Sequence, residues 1–165
     1  MFSVGQTVLY GTNGVCRIEK ITTRRVGSSE MEYYVLKPVR SDCSTVFVPT
    51  GNETLVSRMR FVKSADEVRA ILDDRTFSID WIDNKNLRAE RFRGIISGED
   101  CRELVALVRL IHARAAAVTA QGKRLHISDD RILREAEKMA GDEIATSLGV
   151  TREEAIALIL GKQLV

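Results

Sequence analysis

Catalytic and metal-binding residues are scarce in this chain. Only two of its 165 residues are histidine, His112 and His126, and neither stands next to a motif partner. A lone histidine of that kind is more often packing or surface than base or ligand. The three cysteines, Cys16, Cys43 and Cys101, are far apart, odd in number and form no CxxC pair. That spacing speaks against a disulfide framework or a zinc site and fits a reducing compartment. Cys101 sits near a helix start, where a thiolate could be stabilised, but its sequence neighbours do not suggest a dyad. There is no P-loop, no dinucleotide-binding glycine fingerprint and no HExxH. Asp73-Asp74 reads as a turn signal, and Asp129-Asp130 as acids favoured at a helix N-terminus. We therefore expect no catalytic residues, no metal, no cofactor and no small-molecule substrate.

Long apolar runs are missing too. No stretch approaches the roughly 18 residues that a membrane span needs, and the opening MFSVGQTVLYG has neither a basic leader nor an apolar core. The expected setting is the cytoplasm, without membrane attachment. What remains is 44% hydrophobic and 29% charged, with a net charge of +2. That is ordinary globular composition. Any case for a nucleic-acid partner must rest on where the charges sit.

The chain has two halves with different periods. Val8 and Tyr10, Val15 to Ile21, Tyr33 to Leu36 and Thr45 to Val48 are β-branched or aromatic runs, which predict strands. Turn signals separate them at Gly11-Thr-Asn-Gly14, Gly27-Ser-Ser, Arg40-Ser-Asp and Thr50-Gly-Asn. Pro38 and Pro49 fall at strand ends, where a missing N–H is tolerated. Short strands joined by tight turns suggest a small bent antiparallel sheet or barrel.

From Ser64 the period becomes helical. Ser64-Ala-Asp-Glu67 has the form of a capping box, followed by Val68, Ile71 and Leu72. A second helix is predicted over Asn84 to Ile96, with Leu87, Phe92, Ile95 and Ile96 inward and Ser97-Gly98 ending it. A third runs from about Glu99 to Thr119 on Leu104, Leu107, Val108 and Ile111. Ser128 is the expected start of the next, and Thr151-Arg-Glu-Glu154 opens a short last helix. The reading is α+β: a β-rich domain over 1–60, then an all-α helical domain over 61–165, with the boundary near residues 50 to 63.

The order of motifs is more specific than any one of them. Phe2-Ser-Val-Gly-Gln-Thr-Val-Leu-Tyr10, Asn13-Gly14-Val15, Tyr34-Val-Leu-Lys37 and Thr45-Val-Phe-Val-Pro49 resemble the polymerase-interacting domain of the CarD/CdnL family. Trp81, Arg88, Phe92 and Ser97-Gly98 resemble that family's tryptophan-led helical stretch. Lys123-Arg-Leu125, Ser128 and Leu133-Arg-Glu-Ala136 resemble its last helix pair. The resemblance covers roughly residues 1 to 149. It implies a Tudor-like β barrel, shared with the much longer transcription-repair coupling factor, followed by a helical bundle. It also implies a bacterial transcription regulator with two partners: the RNA polymerase β subunit, and promoter DNA near the upstream edge of the bubble. There a tryptophan enters the minor groove and helps keep the strands apart.

On this resemblance the DNA-binding candidates are Trp81, Lys85, Arg88, Arg91, Lys123 and Arg124. Unstacking one base step costs a few kcal/mol, and stacking on an aromatic ring returns about 1–3 kcal/mol. Such a ring can bias a melting promoter but cannot open an arbitrary duplex. Between residues 82 and 124, Lys85, Arg88, Arg91, Arg93, Arg102, Arg109, Arg114, Lys123 and Arg124 face only Asp83, Glu90, Glu99, Asp100 and Glu103. Such an excess can hold phosphates by counterion release; it can equally be a solvated helix face, and Arg88 could pair with Asp83 or Asp100. Trp81 could likewise be a core or interdomain anchor.

The polymerase-binding candidates are Arg24, Val46, Phe47 and Pro49. An exposed edge strand there could be extended by a partner's strand, and core packing is the alternative for Val46 and Val48. Phe47 departs from family members that carry arginine before the Val-Pro. An aromatic cage of Tyr10, Tyr33, Tyr34 and Phe47 is opposed by alternation, which puts Tyr33 and Tyr34 on opposite faces. A protein-only adaptor, whose helices bind a second protein rather than DNA, stays open as the other reading.

Overall fold

The computed structural model describes residues 1–40 and 44–162. It has two compact units, Met1–Val62 and Lys63–Val165. Cys43 and most of the Arg40-Ser-Asp turn lie outside the described residues.

The first unit carries a five-stranded antiparallel sheet. Its strands are β1 (Thr7–Tyr10), β2 (Val15–Val26), β3 (Ser29–Pro38), β4 (Val46–Pro49) and β5 (Met59–Phe61), in spatial order β4-β3-β2-β1-β5. Both prolines end their strands, as expected. The long β2–β3 hairpin closes on a two-residue loop between Val26 and Ser29. Gly27 takes its first place at φ 65°, a backbone angle that a glycine-first hairpin turn requires. The ladder shifts register between Ile18 and Lys20, so Glu19 is the extra residue of a bulge. Val8, Cys16, Ile18, Tyr34, Leu36, Val48 and Met59 form the apolar core. Two elements fall in the stretch read from sequence as boundary: the short helix α1 (Glu53–Val56) and strand β5. At four and three residues, both are too brief for a period to show.

The second unit contains α2 (Ala65–Asp73), α3 (Lys85–Gly98), α4 (Cys101–Ala120), α5 (Ile127–Leu148) and α6 (Arg152–Ile159). The Ser64 capping box is present: Ser64 Oγ accepts from the Glu67 N–H, and Glu67 Oε2 accepts from the Ser64 N–H at 2.8 Å. Thr151 caps α6 as read. Hydrogen bonds from the Ser64 N–H, the larger cause, and from its hydroxyl hold the Glu67 carboxyl below its ordinary range. A lowered folded pKa means stability that is present above the unfolded value and lost as pH falls through the folded one. Ser64→Ala removes the cap oxygen and should lower unfolding free energy by about 1 kcal/mol near neutral pH. In denaturant titrations the gap from the parent should narrow as the solution is acidified below the carboxylate range.

Three details differ from the sequence reading. Leu87 does not point inward; it is 58% exposed, while Phe92 and Ile95 on the same helix are sealed. A residue in the first turn can match the apolar period and still lie beyond the packed stripe. The helix α3 runs through Gly98, and Glu99 at φ 55° takes the left-handed terminating position. Helix α5 begins at Ile127 rather than Ser128, because His126 Nδ1 accepts from the Ser128 N–H and serves as the cap. The core of this unit joins all five helices, from Val68 and Leu72 to Ala155 and Ile159. No helix among the described residues is long and apolar enough to cross a membrane.

Candidate functional site

Strand register sorts the candidates of the first unit by face. Val48 lies opposite Tyr34 and Val46 opposite Leu36, so both valines take the core side. Val48 is fully buried and Val46 packs partly on that core. Two residues of equal parity cannot point opposite ways, so Val46 shares the core side with Val48 and is partly buried there. Phe47 and Pro49 lie opposite Val35 and Tyr33, on the other face. There Arg24 is exposed, with its guanidinium carbon 4.1 Å from the centre of the Phe47 ring. Tyr33 meets Phe47 edge-on at 6.2 Å, and its hydroxyl lies 3.8 Å from Met31 Sδ. Arg24, Met31, Tyr33 and Phe47 thus make one mixed aromatic, sulfur and cationic surface beside β4, an edge strand. Tyr34 is in the core, away from Tyr33, which rules out the cage. Met31 was not singled out from the sequence, and Tyr33 only as part of the cage; the pairing Arg24↔Met31 carries the signal, and it needs the hairpin register.

Trp81 lies in an irregular segment that ends where α3 begins. Its ring is half-buried against the helical core, tilted at 64° to Phe92 with centroids 6.0 Å apart. Two guanidinium carbons sit over it, Arg88 at 4.5 Å and Arg114 at 5.0 Å. Lys85, Arg91, Lys123 and Arg124 are all exposed.

Arg88 is different. It is 7% exposed, and its Nε and Nη2 donate to the two carboxylate oxygens of Asp129 at 3.0 and 2.9 Å. Its Nη1 donates to the carbonyls of Ile82 and Asp83 at 2.9 and 3.1 Å. Its acid is therefore neither Asp83 nor Asp100, and a phosphate contact does not fit a guanidinium already held inside the protein. Asp129 was missed as the partner of Arg88, and Arg114 as a neighbour of the Trp81 ring. Asp129 lies 41 positions from Arg88 in the chain, so no local spacing announces the pair.

Several other titratable groups have structural occupations. His112 Nε2 meets Glu137 Oε1 at 2.6 Å, joining α4 to α5. Asp74 accepts from the Thr76 N–H and hydroxyl and from Arg102; those bonds, with the Thr76 pair dominant, hold its carboxyl far below the carboxylate range. Burial pushes the Cys16 thiol up to about 11, which leaves it inert. The buried Glu143 accepts from the Lys63 N–H at 3.0 Å and ties the chain before α2 to α5. Among the described residues no group of three or more His, Cys, Asp or Glu is placed to hold a metal ion.

With both faces described, comparison with known families shows that residues 2–60 match the model of the CarD-like/TRCF RID domain. The matched domain is of an RNA polymerase-interacting type, found in transcription-related proteins. The match over residues 2–60 is consistent with the CarD-like resemblance read from the sequence. The helical unit, with Trp81, lies beyond the matched residues.

Proposed function

We propose that the chain acts as a bacterial transcription regulator that docks on the RNA polymerase β subunit and stabilises the open promoter complex. In this reading the first unit acts as a Tudor-like module. The second, a helical bundle, reaches promoter DNA near the upstream edge of the bubble and touches the minor groove with Trp81. The observation that carries the reading is the match of residues 2–60 to a polymerase-interacting domain. The protein then works in the cytoplasm, at the nucleoid, wherever polymerase takes it.

Docking uses the edge strand β4, where a partner strand can add main-chain hydrogen bonds while alternate side chains give choice. Arg24 and Phe47, with Met31 and Tyr33 beside them, supply the side-chain part; Val46 contributes through its backbone, and Pro49 ends the ladder. On the DNA side Trp81 supplies the apolar ring, and the exposed Lys85, Arg91, Lys123 and Arg124 hold phosphates without sequence preference. Arg88 is not among these contacts.

The test is the lifetime of promoter complexes formed by RNA polymerase with and without this protein. Added protein should lengthen it. Trp81→Ala should shorten it again by about tenfold, the worth of one stacking contact, while polymerase binding stays intact. Arg24→Glu should weaken polymerase binding in a chain that remains folded. A Trp81→Ala variant with full effect would leave the helices as an adaptor for a second protein.

A further inference from the structure

A tryptophan in a segment without regular structure would ordinarily sample many orientations, and each would have to be frozen out when it met a ligand. Trp81 is not in that position. The two carbonyls that follow it in the chain, those of Ile82 and Asp83, both accept from Nη1 of Arg88. The rest of that guanidinium is locked onto Asp129 of α5 by two parallel hydrogen bonds, and its carbon sits 4.5 Å from the centre of the Trp81 ring. One planar group thereby fixes the backbone leaving Trp81, covers the ring and anchors both to two helices. Lysine could not replace it, since a single ammonium cannot form a fork with a carboxylate, bridge two carbonyls and lie flat on an indole.

We infer that Arg88 is a positioning residue: with Asp129 it staples the Trp81 segment so that the ring is presented in one orientation, and the DNA contact depends on a side chain that touches no DNA. This rests on the reading of Trp81 as the DNA-contacting ring. Arg114 plays another part. It is exposed and lies over the same ring without such an anchor among the described residues, so it can leave the ring for a phosphate while Arg88 stays.

Trp81 is the chain's sole tryptophan, so its fluorescence reports the ring alone. The variant to use is the double replacement Arg88→Met with Asp129→Leu, which removes both buried charges and leaves apolar side chains of similar size. In the full-length double variant, folded by circular dichroism, Trp81 emission should move to the red. Its quenching by acrylamide should rise about twofold as the segment opens. With RNA polymerase, the promoter-complex lifetime should drop to that of Trp81→Ala, with polymerase affinity unchanged. Emission and quenching identical to the parent would overturn the inference. A raised quenching constant with an undiminished lifetime would uphold the staple and remove Trp81 from the DNA contact instead. If the double variant does not fold, Arg88→Lys decides the matter: it keeps the charge opposite Asp129 but loses the carbonyl bridge. The same red shift is expected there, and an unshifted spectrum would again overturn the inference.

Discussion

Asp129→Ala should cost the helical unit about 3–5 kcal/mol, the penalty for stranding one half of a buried ion pair. Arg88 and Asp129 are 7% and 3% exposed, and the carboxylate takes both of its guanidinium bonds from Arg88. Removing the carboxylate leaves a cation that cannot lose its proton and has little water to turn to. A domain's whole stability is only about 5–15 kcal/mol, so the variant should unfold at much lower urea, followed by far-ultraviolet circular dichroism. The Arg88→Met, Asp129→Leu pair should regain most of the loss, because the cost lies in an unpaired charge and not in the absence of the pair. A loss below about 1 kcal/mol for Asp129→Ala, the range of solvent-exposed pairs, would mean that water reaches the site.

Phe92→Ala is the second large effect, at about 3–5 kcal/mol. Phe92 is wholly buried and stands among the largest sealed side chains of the unit, on the same face of α3 as Ile95. Its truncation removes a ring from a core shared by all five helices and leaves a cavity that fixed helices cannot fill. It also removes the edge on which Trp81 rests. Thermal unfolding should show a large drop in Tm, and tryptophan emission should shift in the fraction that remains folded. A volume-conserving Phe92→Leu should cost much less.

Local chemistry was legible in the sequence, and distant chemistry was not. The Ser64 capping box and the Thr151 cap could be read because each is complete within four residues. Strand ends at Pro38 and Pro49 were marked by a missing N–H. The cap of α5 was misread because histidine is outside the usual capping set, although its Nδ1 accepts a backbone N–H just as a serine oxygen would. Val46 was offered as a contact, but its parity with Val48 already placed it on the core side. Around Trp81 the ring itself stood out as the sole tryptophan, while its holder did not. Arg88 looked like one more basic residue on a charged helix, and only the packing of α3 against α5 reveals its partner.

Arg109 has a consequence for the two ends of the helical unit. Its guanidinium donates to the carbonyls of Leu72 and Asp74, where α2 finishes, and to that of Ile159, where α6 finishes. Carbonyls at helix ends have no partner within their own helix, and here one cation from α4 serves both termini. The first and last helices of the unit are therefore coupled through a single side chain 37 positions beyond Leu72 and 50 positions before Ile159. Fraying of either terminus strips ligands from Arg109 and weakens its hold on the other, so the last helix opens in concert with the first instead of peeling away as a separate tail.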